Sequence, residues 1–265
     1  CAANRRPRRM EPARSGDAPA PVAQLEASLA YWQQQLCTDV LPALELPVDL
    51  PRPAQLTTFR GGTVAVALPP DVAARLAELC RAHGCTTYQL MLALWALLLC
   101  RHAGQEEVVV GSAGPIGHGT NVLPLRVQAM RGITVGALLA HVREAVTDGV
   151  RHAAALLQRA VRELVPRLVH DGSRNAIFQT MLTWADTEEV QVGEDAHMSG
   201  ESVAPDPSGD TTCDVSLSVR VAAAGDITGA IEYNRDLFER ATVERLAARL
   251  SVLAAALADA PAEAD

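Results

Sequence analysis

The stretch TTYQLMLALWALLLCRHAGQEEVVVGS, residues 86–112, decides the fold. Its apolar run covers residues 90–100. A helix needs about 20 apolar residues to span a bilayer, so this run predicts a helix buried in a protein core. Thr86 followed by Gln89 has the pattern of a capping box, which opens that helix. The run EEVVVGS at 106–112 then predicts a short buried strand.

A second helix is predicted immediately before this stretch, over residues 70–83. Pro70 suits a first helical turn, and Gly84 suits a C-terminal cap. The pattern CRAHGC at 80–85 raises the question of a metal or redox site. Zinc needs a fourth ligand, and no second pair of this kind occurs, so we interpret the pattern as a helix end, a glycine cap and a new helix start. One apolar stripe contains Val72, Leu76, Leu79, Cys80 and His83.

The rest of the chain alternates between helical and extended patterns. The predicted helices are 24–36, 70–83, 87–100, 134–149, 151–168 and 241–259. The predicted strands are 61–69, 106–112, 120–127, 176–184, 213–223 and 226–234, with a hairpin between the last two. The proline-rich segment 41–53 is an extended connector, and 186–211 is a loop. This order favours an α/β fold with a mixed sheet.

The composition excludes several classes of function. The net charge is -8, which argues against nucleic acid as a partner. All 23 basic residues are arginine, so lysine chemistry, including Schiff bases and phosphate-loop lysines, is absent. The six cysteines show no disulfide framework, and no apolar run is long enough for a membrane span. We expect a reduced, cytoplasmic compartment and no membrane partner.

The first 23 residues differ from the rest of the chain. Residues 1–16 contain five arginines against one glutamate and no apolar periodicity. We interpret residues 1–23 as a disordered basic tail or linker and residues 24–265 as the folded domain. Because the chain begins with Cys, it is either a fragment or is translated from Met10.

Three local patterns imitate known sites. GPIGHGTN at 114–121 resembles a phosphate loop but lacks its lysine. HDGSRN at 170–175 places a histidine beside a carboxylate, and we interpret it as a solvated turn. His152, at a helix start, is interpreted as a surface or capping residue.

Five stretches together carry a resemblance to a known family. They are LAYWQQQL (29–36), LELPVDLPRP (44–53), residues 83–112, SRNAIFQTMLTW (173–184) and IEYNRDLFERATVERLAARLSVL (231–253). In this order they resemble the C-terminal half of a nonribosomal peptide synthetase condensation domain. The resemblance runs from about residue 24 to the end, and SRNxxFQTM with YNxDLF are its most specific parts. It implies a chloramphenicol acetyltransferase-like half-domain.

The family's activity is amide-bond formation between carrier-bound thioesters. Two such halves form a V, and carrier proteins present phosphopantetheine arms in the tunnel between them. An HHxxxDG motif in the N-terminal half supports the reaction, and this chain contains no adjacent histidine pair. The resemblance therefore implies no catalytic residue, no metal and no directly bound cofactor in this chain.

The chain departs from the family pattern at two motifs. IGHGTNVLPLR at 116–126 keeps Asn121 and Arg126, but His118 and Gly119 replace bulky residues. The family's HQDxPFExLV is reduced to His152 and Val161. By contrast, SRN at 173–175 is intact. The resemblance thus implies four substrate-tunnel residues, Asn121, His152, Arg174 and Asn175.

Three hypotheses about function follow. In the first, the chain is a catalytically inactive scaffold beside an adenylation domain. In the second, it completes an active enzyme with an HHxxxDG-containing N-terminal half supplied upstream or in trans. In the third, it is a freestanding acyltransferase that uses His152 or His170. The resemblance implies adenylation and peptidyl carrier domains as partners, and the exposed apolar surface of a half-domain predicts a homodimer or attachment to a neighbour.

Overall fold

The computed structural model describes residues 22–36, 41, 43–54, 60–113, 122–153, 173–185 and 213–259. Within these ranges the chain forms five helices and one six-stranded sheet. The helices are α1 Val22–Leu36, α2 Pro70–His83, α3 Thr87–Ala103, α4 Val135–Arg151 and α5 Arg240–Ala258. The strands are β1 Gly61–Ala67, β2 Glu107–Ala113, β3 Leu123–Gln128, β4 Thr180–Ala185, β5 Val215–Val221 and β6 Ile227–Asn234.

Most predicted elements are present, and the differences have local causes. The strand predicted from residue 176 begins only at Thr180, because a turn precedes it. The helix predicted to end at Gly149 continues to Arg151, because Gly149 packs closely on β3 instead of ending the helix. A Cβ on Gly149 would lie 2.8 Å from Cδ2 of Leu125. The predicted helix 151–168 beyond residue 153, the loop 186–211 and the tail up to residue 21 lie outside the described residues.

The sheet has the strand order β1-β6-β5-β4-β2-β3. Strand β4 is parallel to β2 and β5, and the other neighbours are antiparallel. Strands β5 and β6 form the predicted hairpin, whose turn contains Gly225 at φ 90. The N–H of Gly225 donates to the carbonyl of Ala222 over 2.8 Å. The predicted mixed α/β sheet is confirmed.

The strand register sorts the side chains onto two different faces, because neighbouring residues of a strand point to opposite sides. One face is apolar and packs against the helices. Its buried residues are Val64, Val66, Val108, Val110, Leu125, Val127, Leu182, Val215, Leu217 and Ile231. On β1, β5 and β6 the opposite face, here called the polar face, is exposed or half-buried. Its residues are Thr63, Ala65, Ala67, Ser216, Ser218, Thr228, Ala230 and Glu232.

Helix α3 lies at the centre of the core, as its apolar run predicts. Most of its side chains are buried, which is typical of a helix that is apolar all round. The polar groups of its two polar aromatic residues, Tyr88 and Trp95, form hydrogen bonds with side chains of the sheet. Trp95 Nε1 donates to Thr180 Oγ1 over 2.9 Å, and the Tyr88 hydroxyl hydrogen-bonds Ser112 Oγ.

In the described ranges no single helix has the length and hydropathy needed to cross a bilayer. Helices α2 and α3 together reach that length and hydropathy, but they form a pair bent by 105°.

The CRAHGC segment is a helix end followed by a helix start, which confirms the interpretation from the sequence. Gly84 caps α2 in the left-handed conformation, with φ 60 and ψ 36. The hydroxyl of Thr86 accepts a hydrogen bond from the N–H of Gln89 over 3.2 Å. The Gln89 side chain accepts one from the N–H of Thr86 over 2.9 Å, which completes the capping box.

The connector forms a strap, defined here as residues 43–54, which links the residues before β4 to the start of α5. At one end, the N–H of Leu44 donates to Gln179 Oε1 over 2.7 Å. Further along, Asp49 accepts hydrogen bonds from the N–H of Glu239 and the hydroxyl of Thr242, both over 2.8 Å. Because Glu239, the N-cap residue of α5, makes no side-chain cap of its own, Asp49 caps this helix from the strap.

A buried ion pair holds the last part of the strap. The guanidinium of Arg52 makes two hydrogen bonds with the carboxylate of Asp214, at 2.9 and 2.5 Å. The two side chains are 14% and 6% exposed. Arg52 also donates to the carbonyl of Ser173 over 3.3 Å, so one side chain joins the strap to the residues that precede β4 and β5.

A substitution at Gly229 in β6 tests the packing of the sheet. A Cβ at this position would lie 2.0 Å from the backbone oxygen of Ser218, which cannot rotate away. We expect Gly229→Ala to lower the free energy of unfolding by about 2 kcal/mol or more, measured by urea denaturation. Gly136→Ala is the control, because its nearest neighbour, His83 Cε1, lies 3.4 Å away in an early turn of α4. Equal unfolding midpoints for the two variants would contradict this register.

Asp49 tests the capping of α5 by the strap. Asp49→Ala removes the acceptor for the N–H of Glu239, and we expect a loss of about 1–2 kcal/mol in the free energy of unfolding. Glu78→Ala is the control, since this exposed carboxylate on α2 has its closest cation, Arg81, at 3.9 Å. A loss no larger than that of the control would show that the strap does not stabilise the helix.

Candidate functional site

The SRN segment joins the strap to the start of β4. The guanidinium of Arg174 makes two hydrogen bonds with the carboxylate of Glu45 in the strap, at 2.6 and 2.9 Å. The Arg174 side chain is 17% exposed, whereas Glu45 is 62% exposed. Ser173 is buried, and its carbonyl accepts from Arg52. Arg174 is therefore positioned by the strap, which lies far from it in sequence.

Asn175 shapes the turn that leads into β4. Its side-chain oxygen accepts hydrogen bonds from the N–H groups of Ile177 and Phe178, at 3.0 and 3.4 Å. This is the Asx-turn arrangement that favours Asn before a strand. The carbonyl of Asn175 accepts from Gln179 Nε2 over 2.8 Å, and the same amide holds the strap. The turn also places the Phe178 ring against Gly111, where a Cβ would lie only 2.6 Å from the ring.

His152 lies at the C-terminal cap of α4 and contacts α1. Its Nδ1 lies 2.9 Å from Ser28 Oγ, and its carbonyl accepts from Trp32 Nε1 over 2.9 Å. The Tyr31 ring stacks on the imidazole at 4.5 Å with an interplanar angle of 23°. Burial, followed by the charge of Asp148, raises the pKa of Tyr31 to about 12. His152 was predicted to be a surface or capping residue at a helix start; it lies instead at the end of α4, as its C-terminal cap, with its side chain half-buried under α1.

The Ser28–His152 pair was not predicted from the sequence. The two residues are 124 positions apart, and no local pattern marks Ser28. A serine can act as a nucleophile when a histidine accepts its proton, but the reacting group must reach it. Ser28 is 3% exposed, so an external acyl group cannot approach it in this conformation. The arrangement instead fastens α1 to the end of α4.

The predicted tunnel residues fall into separate places. Arg174 and Asn175 lie together between the strap and β4. His152 lies between α1 and α4, where it contacts Ser28, Tyr31 and Trp32 of α1. Asn121 lies outside the described residues. The four described histidines, His83, His102, His141 and His152, all lie on helices or at a helix end.

The polar face is chemically different from the helix side. Glu232 is half-buried there, between Thr63 of β1 and Ser216 of β5, and desolvation raises its pKa. Towards the other edge of the same face, the guanidinium of Arg126 makes two hydrogen bonds with Glu107, both over 2.9 Å. Between these charges lie Ser216 and Ser218 of β5 and Met181 and Thr183 of β4.

A cavity of about 440 Å³ lies at the N-terminal end of α5. Its apolar wall includes Leu50, Tyr233 and Phe238, and its rim includes Arg235 and Arg240. It lies near the Asp49 cap rather than near Arg174. No group of three or more His, Cys, Asp or Glu side chains in the described ranges is arranged to hold a metal ion.

Comparison with protein families identifies the chain. The condensation domain model matches residues 19–265. Phosphinothricin tripeptide synthetase PhsC of Streptomyces viridochromogenes is 32% identical over 249 residues, which cover 88% of this chain and 22% of PhsC. Chondramide synthase cmdD of Chondromyces crocatus is 31% identical over 251 residues, which cover 90% of this chain and 6% of that synthase. The chain therefore spans a small part of the length of these relatives.

Solved structures share the fold. The X-domain from teicoplanin biosynthesis superposes with a TM-score of 0.74 at 24% identity, over 94% of this chain and 57% of that one. Holo-AB3403, a four-domain nonribosomal peptide synthetase bound to AMP and glycine, gives 0.76 at 19% identity, over 90% of this chain and 20% of that one. These likenesses confirm the predicted chloramphenicol acetyltransferase-like α/β fold. Together with the family match, they show that the chain belongs to the condensation domain family of nonribosomal peptide synthetases.

Proposed function

We propose that this chain is the C-terminal half of a condensation domain and acts as a structural and interaction subdomain beside an adenylation domain. In this role it does not form amide bonds by itself. The observation that carries the proposal is the placement of the histidines. The chain has no adjacent histidine pair, and the described histidines lie on helices or at a helix end, with none on the polar face.

The chemistry of condensation supports this assignment. The reaction needs a group that takes or orients the proton of the attacking amine, next to two aligned thioesters. The Arg174 guanidinium is hydrogen-bonded to Glu45, and the Asn175 side chain is hydrogen-bonded within the turn that it forms. His152 is hydrogen-bonded to a buried serine beneath α1. The described polar side chains at the predicted tunnel positions therefore stabilise the fold and do not form a proton-transfer site.

The surface of the sheet supports a role in interaction. In the described part of the chain, β1 pairs with β6 alone, so its outer edge is available to another strand or domain. Thr63, Ala65 and Ala67 are exposed on the adjoining polar face. A relative of the same fold, the X-domain, is found in a complex with OxyB from teicoplanin biosynthesis. For this chain we propose an adenylation domain as the neighbour, with a homodimer as the assembly when that neighbour is absent.

A second function, completion of an active enzyme, is favoured by the intact SRN turn. The six-stranded sheet and its buried core are complete enough to provide one wall of a tunnel. In this alternative, an N-terminal half provides HHxxxDG. Carrier proteins bring the substrates on phosphopantetheine, so this chain binds no cofactor directly.

Reconstitution distinguishes the two functions. We expect the purified chain to bind an adenylation domain in a pull-down and by calorimetry, and to form no amide when mixed with two aminoacyl-loaded carrier proteins. Amide product from the chain alone would refute the scaffold role. Product that appears only after an HHxxxDG-containing half is added would support the completing role instead. Product detection by mass spectrometry measures both outcomes, and a heat-denatured chain is the control.

The Glu45–Arg174 ion pair tests whether Arg174 stabilises the fold. We expect Arg174→Met and Glu45→Gln each to lower the free energy of unfolding by about 1 kcal/mol, and the double variant to lose less than the sum. The pair Arg60–Asp236 is the control, because Arg60 is 70% exposed and solvent screens its ion pair, so its removal should leave the unfolding midpoint nearly unchanged.

A different result would favour the tunnel role of Arg174. The contradicting outcome is an Arg174→Met variant with unchanged urea unfolding that no longer supports amide formation in the reconstituted mixture. Loss of stability without loss of binding to the adenylation domain agrees with the scaffold role.

A further inference from the structure

The end of α2 brings two cysteines together. The N–H groups of Gly84 and Cys85 both donate to the carbonyl of Cys80, the latter over 3.0 Å. With Gly84 in the left-handed conformation, this is a Schellman motif. Such a motif places the side chains of the residues five positions apart in contact. Here those residues are both cysteines, so the turn brings the side chains of Cys80 and Cys85 next to each other.

The two thiols have different surroundings. Cys80 is 5% exposed, whereas Cys85 is half-buried and reaches the surface. The guanidinium of Arg143 on α4 donates to the carbonyl of His83 over 3.2 Å. Its Nη1 would also lie 3.5 Å from a Cβ on Gly84, so a positive charge stands over the cap beside Cys85.

The chemistry of the pair is asymmetric. The neighbouring Cys80 thiol lowers the pKa of Cys85 to about 7, and the charge of Arg143 contributes to this shift against the opposing effect of burial. The same interaction between the thiols, together with burial, raises the pKa of Cys80. Cys85 is thus the nucleophilic thiol at neutral pH, and Cys80 is the buried thiol next to it.

We propose that Cys80 and Cys85 are a redox modification site, which forms a reversible intramolecular disulfide by exchange with a low-molecular-weight disulfide such as oxidised glutathione. The Cys85 thiolate attacks one sulfur of that disulfide and forms a mixed disulfide, and one thiolate leaves. The Cys80 thiol then gives its proton to solvent and attacks the Cys85 sulfur, which releases the second thiolate. Reduced thiol in excess reverses both steps.

The site is separate from the proposed scaffold role. Its residues lie at the corner between α2 and α3, whereas the predicted tunnel residues Arg174 and Asn175 lie between the strap and β4. The cross-link would fasten the end of α2 to the start of α3, where Arg143 already holds the cap. The other described cysteines, Cys100 and Cys213, are 0% and 2% exposed in the core.

Tryptic mapping of the full chain tests the disulfide. The native protein is equilibrated in glutathione buffers from fully reduced to fully oxidised, quenched with iodoacetamide and digested. Cleavage after Arg75, Arg81 and Arg101 separates the two cysteines into peptides 76–81 and 82–101. We expect these peptides to become linked as the buffer is oxidised, with the loss of both thiol hydrogens, and to separate again in excess reduced glutathione.

Variants identify the partners. Cys100→Ala is the matched control, because Cys100 lies in the same peptide as Cys85, and it should leave the linkage unchanged. Cys80→Ala should trap Cys85 as the glutathione mixed disulfide. It should also slow alkylation of Cys85 at pH 7 by roughly fivefold or more, because the neighbouring thiol that favours the Cys85 thiolate is removed.

The wild-type measurement remains decisive even if a variant fails to fold. Absence of the linked peptides in fully oxidised buffer, with Cys85 still open to alkylation, would overturn the proposal. Linkage of either cysteine to Cys1, Cys37, Cys100 or Cys213 in place of the Cys80–Cys85 bond would overturn it as well.

Discussion

A helix that is apolar on every side must be covered on every side, and α3 imposes that condition on this fold. The sheet covers one side of α3, and the other helices pack around the remainder. The two polar groups that α3 carries into the core, on Tyr88 and Trp95, each meet a hydroxyl on the sheet. Without Ser112 and Thr180 these groups would be buried without partners, at a cost of about 1–3 kcal/mol each.

This arrangement makes the two faces of the sheet unequal. The helix side uses valine, leucine and isoleucine, since side chains there must fill the space around α3. On β1, β5 and β6 the opposite side uses threonine, serine and alanine, which tolerate either solvent or another protein surface. The strap is held at the end of the sheet by the ion pair of Arg52 and Asp214. The unequal faces of the sheet support the interaction part of the proposed scaffold role.

The candidate residues show why sequence patterns do not reveal roles at long range. SRN was recognised as a motif, but the pairing of Arg174 with Glu45 joins positions 129 residues apart. From its local pattern His152 was interpreted as a surface or capping residue at a helix start, whereas its contacts with Ser28 and Tyr31 depend on where α1 packs. The Cys80–Cys85 pair is different, because both residues lie within the six-residue segment CRAHGC and their contact depends on local geometry. The glycine cap was predicted, and the meeting of Cys80 with Cys85 follows from the geometry of that cap.

The amino-acid sequence by itself determined the elements whose causes lie within a few residues. The buried helix α3, the capping box at Thr86, the cap at Gly84, the hairpin of β5 and β6 and the family resemblance were all readable from local pattern. Only the tertiary structure decided the strand order, the face that stays polar, the capping of α5 by Asp49 and the late start of β4. These features depend on register and on contacts between distant segments, which are selected by the packing of the whole core rather than by any short stretch of chain.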